Sequence, residues 1–205
     1  MKTGIISGSH RPQSQSEKVA RFIDGRLGNA AWCDDNWLLT LAGNPLPFWD
    51  ESVWSGDGAW ETELPALREQ VQSCDAFVIV TPEWHGMVPS GLKNFFLLWA
   101  AGGELAHKPA LIVSVSASDN GAYPVAELRM SSYKNSRICY LPEHLIVRNV
   151  KTVFNGDEKD NDARSNEYLS GRLDYCLDML GEYAAAFGQI RASGKVSLET
   201  YSNGM

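Results

Sequence analysis

Gly4 to Leu27, GIISGSHRPQSQSEKVARFIDGRL, is the stretch from which the fold of this chain can be read. It opens on Gly4-Ile5-Ile6, an apolar run short enough for a buried strand. It closes with Val19, Ala20, Phe22, Ile23 and Leu27, spaced as one face of an amphipathic helix. Between the two, Ser7 to Ser16 has no apolar side chain long enough to pack. A strand that ends in such a loop, just before a helix, presents free backbone N–H groups to an incoming anion. Ser9, Arg11, Ser14, Gln15 and Ser16 add side-chain donors, and Arg11 brings a permanent charge on a planar fork matched to phosphate. Two readings fit these residues: a phosphate cradle, or a polar surface turn in which Ser14 or Ser16 caps the helix. His10 is expected to face solvent.

The 205 residues suit one α/β domain, drawn over residues 1–192, with a tail at 193–205 whose low apolar content predicts looseness. A hydrophobic fraction of 44% and a charged fraction of 21% are those of a soluble globular chain. The net charge of −7, without a clustered basic stripe, argues against a nucleic-acid surface. No apolar run approaches the ~20 residues of a membrane span. Met1-Lys2-Thr3 leads directly into the first strand, which leaves no room for a signal peptide. Cys33, Cys74, Cys139 and Cys176 lie far apart without metal-type spacing, so reduced thiols in the cytoplasm are expected.

A second short strand is expected within Asn29 to Leu39, where Ala31 and Cys33 against Trp32 give a weak alternation. Residues 42–61, rich in proline and glycine and carrying Trp49, Trp54 and Trp60, read as a long loop. Its aromatic residues either cover a ligand edge, meet a second subunit or fold back on the core. Glu63 to Cys74 reads as a helix with Leu64, Leu67 and Val71 on one face and Pro65 in its first turn. Asp75 to Thr81 and Lys108 to Val115 are continuous apolar runs, as in a parallel sheet covered on both faces. Helices are expected at Pro89 to Ala101, Ala122 to Cys139 and Tyr168 to Phe187, with a last strand at Leu141 to Val147. Alternating strands and helices predict one doubly wound parallel sheet, with ligands beyond the carboxyl ends of its strands.

Three of the loops at those ends carry motifs. Gly8-Ser9-His10-Arg11-Pro12-Gln13-Ser14 follows the first strand. Thr81-Pro82-Glu83-Trp84-His85-Gly86, continuing to Pro89-Ser90-Gly91-Leu92-Lys93-Asn94, follows the third. Ser114 to Ser116, then Asn120-Gly121-Ala122 and Glu127-Leu128-Arg129, follow the fourth. Together they resemble the NADPH-dependent FMN reductase family, flavodoxin-like proteins that include quinone, azo and chromate reductases. The resemblance runs from about Lys2 to Val147 and implies a five-stranded sheet of order 2-1-3-4-5 with helices on both faces. It implies that Ser9, Arg11, Ser14, Gln15 and Ser16 hold the FMN phosphate. Pro82, Glu83, Trp84, His85 and Gly86 then line the isoalloxazine, largely through backbone, with Ser116 and Gly121 on its other side.

The implied activity is FMN-dependent oxidation of NADPH or NADH, with electrons passed to a quinone, free flavin, azo compound or metal oxyanion. A homodimer or homotetramer is implied as well, with exposed Trp49, Trp54 or Trp60 at the subunit seam. Two departures stand out: Trp84-His85 replaces the family's Tyr-Asn, and Ala122 replaces a second glycine. Lys93 and Asn94 read as structural, and Glu127 with Arg129 as an ion pair or subunit contact. A flavodoxin-type electron carrier and a flavin-binding redox sensor are the alternatives. The carrier's usual Thr-x-Thr-Gly-x-Thr loop is absent from Gly8-Ser9-His10-Arg11. No Ser-His-Asp set, Cys-x-x-Cys or metal cluster points to catalytic residues or a metal site of the protein's own.

Overall fold

A computed structural model describes residues 1–56 and 58–204, apart from the side chains of Gly58 and Ala59. Five parallel strands, β1 (Lys2–Ser7), β2 (Asp35–Thr40), β3 (Ala76–Pro82), β4 (Pro109–Val115) and β5 (Cys139–Val147), form one sheet of order β2-β1-β3-β4-β5. Six helices alternate with them: α1 (Gln15–Leu27), α2 (Gly58–Glu63), α3 (Pro65–Ser73), α4 (Ser90–Leu98), α5 (Ala122–Ser131) and α6 (Ala163–Ala192).

Every residue of β3 and β4 is buried, as their unbroken apolar sequences require. Two cores cover the sheet. Ile5, Val78 and Val113 face α1 and α6 on one side; Ile6, Phe77 and Ile112 face α3, α4 and α5 on the other. This alternation along single strands is the period of two expected of a pleated sheet between two helical layers. At about 25 cal/mol per Å² of apolar area, these layers supply the main drive to fold.

Several boundaries differ from the sequence reading. The second strand, Asp35–Thr40, occupies the end of the expected Asn29 to Leu39, past the weak alternation at Ala31 to Cys33. It is an edge strand whose polar start pairs Asp35 with Lys2, so hydrophobic alternation marks it poorly. The fourth expected helix stops at Ser131 instead of running to Cys139. There the Ser131 and Ser132 hydroxyls donate back to the Glu127 and Leu128 carbonyls, both at 2.7 Å, competing with continuation of the helix. The last helix is longer than expected because Asp162 caps it, accepting from the Ser165 N–H at 2.9 Å.

Residues 42–61 contain a turn of 3-10 helix, Glu51–Trp54, and the start of α2. Within this segment Trp60 is buried at 8% exposure, so it belongs to the core and not to an exposed seam. Trp54 stands out at 69%. The tail returns to the body, where Arg137 donates to the Tyr201 and Ser202 carbonyls. No helix among the described residues is long and apolar enough to cross a membrane.

Candidate functional site

The loop between β1 and α1 begins with Gly8 donating to the Val80 carbonyl at 2.8 Å, which ties it to the end of β3. A Cβ at Gly8 would meet Leu92 Cδ2 at 2.7 Å and the Val80 carbonyl oxygen at 2.9 Å, so glycine is required for that approach. Ser9 is buried, and its Oγ accepts from the Arg11 N–H at 3.3 Å. Ser14 is the N-cap of α1, its Oγ accepting from the Glu17 N–H at 3.1 Å. Both hydroxyls are engaged there as acceptors and keep a proton to donate. Gln15 and Ser16 occupy the first turn, where N–H groups have no intrahelical acceptor. Arg11 is exposed, and its guanidinium makes no ion pair or hydrogen bond among the described residues. Ser14, Gln15 and Ser16 thus form the N-terminus of α1, and Ser9 and Arg11 lie in the loop that leads into it.

His10 is half-buried and does not simply face solvent. Its ring meets Trp84 edge to face at 4.6 Å, and its backbone carbonyl accepts from the Gly43 N–H at 3.1 Å. Its Nδ1 is buried without a hydrogen-bond partner among the described residues. His10 thus joins the loop after β1 to the loop after β3.

Beyond β3 the chain makes a two-residue hairpin. The Trp84 N–H donates to the Met87 carbonyl at 3.1 Å, and the Met87 N–H returns a bond to the Trp84 carbonyl at 2.9 Å. His85 at φ 51° and Gly86 at φ 77° form the tip, both in the left-handed region that a type I′ turn demands. The Pro82 end of this loop belongs to β3, and the Glu83 N–H is held by the Val115 carbonyl at 3.1 Å. The Glu83 carboxylate accepts from the Gly121 N–H at 2.7 Å, which leaves the loop's backbone, not this side chain, for a ligand.

After β4, Ser116 is buried, and its Oγ accepts from the Ser118 N–H at 3.2 Å. Gly121 has φ 112°, and a Cβ there would lie 2.5 Å from Ile146 Cγ2. Tyr123, which sequence reasoning passed over, stands beside the hairpin: its ring lies 3.9 Å from where a Gly86 Cβ would be. It is 70% exposed. No local motif signals this; only the topology that sets α5 beside the β3 loop reveals it.

Supporting residues fix the three loops relative to one another. Lys18, on α1, donates to the Val150 and Val153 carbonyls at 2.7 and 2.8 Å and to Asn155 Oδ1 at 2.7 Å. Burial lowers its pKa from the ordinary lysine value. Val150 in turn donates its N–H to the Ser116 carbonyl at 3.1 Å, so Lys18 links the first loop's helix to the backing of the third. Asn94 accepts from the Trp49 N–H at 2.8 Å and donates to the Pro47 carbonyl at 2.9 Å, a structural role that anchors the 42–56 segment. Glu127 pairs with Lys93 rather than Arg129, and it also accepts from the Val88 N–H at 2.7 Å. Arg129 donates instead to backbone carbonyls at the start of β5. Among the described residues no cluster of His, Cys, Asp and Glu fits a metal ion.

Residues 1–152 match the model of a family described as NADPH-dependent FMN reductase. A quinone reductase of Escherichia coli K12 is 40% identical over 113 residues, which cover 54% of this chain and 57% of that protein. An NADPH azoreductase of Bacillus sp. (strain OY1-2) is 27% identical over 124 residues, 59% of this chain and 62% of that one. These matches therefore span little more than half of each relative's length. In fold, a flavoenzyme NAD(P)H:(acceptor) oxidoreductase of Paracoccus denitrificans superposes with a TM-score of 0.71 at 17% identity. That superposition covers 91% of this chain and 98% of the other.

Proposed function

The chain belongs to the NADPH-dependent FMN reductase family, and from that premise we propose that it is an FMN-dependent NAD(P)H oxidoreductase. Its acceptor is a small molecule such as a quinone, free flavin, an azo compound or a metal oxyanion. The observation that carries this reading is the set of uncommitted donors at the N-terminus of α1: Arg11, the Ser9 and Ser14 hydroxyls, and the first-turn N–H groups of Gln15 and Ser16. These suit a terminal phosphate: charge, fork geometry and the helix dipole all favour a dianion there. The backbone of Pro82 to Gly86 on one side, with Ser116 and Gly121 on the other, suits the edge of a flat ring. The donor set and the two glycine-dependent approaches thus fit FMN.

FMN, once bound, supplies the redox chemistry, taking two electrons from reduced nicotinamide and releasing them to the acceptor. The chain's own residues bind and orient. Arg11, Ser9 and Ser14 hold the phosphate, and Ser16 and Gln15 direct backbone donors toward it. Glu83 locks the ring-side loop to Gly121. Trp84, packed edge to face on His10, and Tyr123, beside Gly86, supply aromatic faces for a planar substrate.

The chain works as a homodimer or homotetramer in the cytoplasm. Phe48 and Trp54 are exposed at 71% and 69%, and a groove of about 390 Å³ between α4 and α5 is floored by Phe96, Leu97 and Leu128. Light scattering of the purified protein reads the subunit number directly, and a monomer at micromolar concentration contradicts this part. Addition of NADPH to the yellow holoprotein under anaerobic conditions tests the activity. Bleaching within the mixing time supports a reductase; a slow or absent response points to an electron carrier or a sensor.

A further inference from the structure

At the tip of the β3 hairpin the backbone asks for one kind of residue and the sequence supplies another. A type I′ turn needs two successive positive φ angles, and Asn-Gly meets that need with least strain. Here the first position is His85, at φ 51°. Asparagine would serve the turn at least as well, so the turn itself gives no reason for an imidazole.

The imidazole is nonetheless held in a defined place. Trp84 and Met87 exchange two backbone bonds beneath it. The Glu83 carboxylate fastens one side of the hairpin to Gly121, and the Glu127 carboxylate fastens the other through the Val88 N–H, both at 2.7 Å. Trp84 packs against His10, and Gly86 lies against Tyr123. His85 is exposed, and its side chain makes no hydrogen bond to any other described residue. An exposed imidazole without a hydrogen-bond partner among the described residues thus stands on a braced loop just beyond the carboxyl end of β3, in a left-handed backbone conformation. Strain kept at such a position points to use.

We propose that His85 meets the electron acceptor, donating a hydrogen bond and then a proton to a carbonyl oxygen of a quinone-type substrate. This rests on the reading of the site as a nicotinamide–FMN reductase. Reduction of a quinone to a quinol takes two electrons and two protons. Reduced nicotinamide supplies a hydride, which is both electrons and one proton, and is oxidised. His85 supplies the second proton: its N–H bond breaks, the new O–H bond forms, and the neutral imidazole recovers a proton from water. A metal-complex oxidant such as ferricyanide takes electrons alone and has no use for this proton.

The test compares His85→Asn and His85→Ala with the wild type, all as holoprotein. Asparagine keeps the turn and a hydrogen-bond donor but cannot give up a proton. In His85→Asn the benzoquinone rate falls roughly 100-fold further than the ferricyanide rate, the scale of a lost general acid. Hydroquinone affinity, read by quenching of tryptophan fluorescence, weakens about 5-fold in His85→Ala, the scale of one lost hydrogen bond. In His85→Asn it stays closer to wild type. Equal falls for both oxidants, or hydroquinone binding indifferent to His85→Ala, overturn the proposal while FMN-dependent bleaching by the wild type keeps the reductase reading. A wild type that neither retains FMN nor bleaches with NADPH sinks both.

Discussion

Lys108 and Arg191 at one end of this sheet and Arg11 at the other are treated in opposite ways. At the amino ends of the strands Lys108 and Arg191 have been claimed by the protein. Lys108, only 6% exposed, donates to the Val71 and Gln72 carbonyls at 3.0 and 2.8 Å, closing the end of α3. Arg191 reaches Asp75 at 3.2 Å and the His107 carbonyl at 2.9 Å. At the carboxyl ends Arg11 has no such partner among the described residues, and the Ser9 and Ser14 hydroxyls still have protons to give. Internal satisfaction marks a structural role, because a buried donor without an acceptor costs about 1–3 kcal/mol. Donors left free on a rigid frame mark a site. A lysine and an arginine of similar charge are thus separated by their partners, not by their chemistry.

That contrast can be broken at either end. The largest effect is expected from Gly121→Ala at the carboxyl end. Its Cβ would lie 2.5 Å from Ile146 Cγ2 on a backbone at φ 112°. Overpacking and left-handed strain together cost about 3 kcal/mol. Urea denaturation should show that loss, and FMN affinity should fall with it because Glu83 loses its anchor. Wild-type stability in the variant would mean that the β4 loop is not fixed as described.

A smaller effect is expected at the amino end and concerns pH. Burial pushes Lys108 down to about 8 from an ordinary 10.5. Above about pH 8 the unfolded chain therefore holds a proton that the folded chain has lost, so stability rises with pH. Cys74, which burial pushes up to about 11 from an ordinary 9.0, acts in the opposite direction once its unfolded form ionises. The window for Lys108 alone is thus roughly pH 8 to 9. Across it the wild type should gain about 1 kcal/mol relative to Lys108→Met. Parallel curves for the two proteins would show that Lys108 keeps its proton throughout.

The smallest effect is local. Asn94→Ala leaves the Trp49 N–H and the Pro47 carbonyl without their partner, a loss of about 1 kcal/mol confined to the 42–56 segment. Limited proteolysis should cut there first, while the sheet core resists. Global destabilisation instead would mean that this segment folds as part of the core.

The sheet was legible in the sequence because β3 and β4 lie between two helical layers, and continuous apolar runs record that directly. The donor-rich loop before α1 was legible because its donors all fall between Ser9 and Ser16. Edges and meeting points were not. β2 has one neighbour and a polar start, so periodicity marks only a broad span, Asn29 to Leu39, around it. Trp60 reads in sequence as one more loop tryptophan; only the packing of α2 and α3 on β3 buries it. His10, in a loop, and Tyr123, in the first turn of α5, lie 113 positions apart and both meet the hairpin, which no spacing encodes. Glu83, expected beside a ring, spends its carboxylate on Gly121 because a free N–H at the start of α5 needs an acceptor.

The most direct test is calorimetric titration of the apoprotein with FMN and with riboflavin, for the wild type and Arg11→Ala. The two ligands share a ring and differ by the phosphate. Arg11→Ala should weaken FMN roughly 10- to 100-fold, as expected for loss of charge-assisted bonds, and leave riboflavin within about 2-fold. Equal losses for both ligands, or none for either, would contradict a phosphate site at the start of α1.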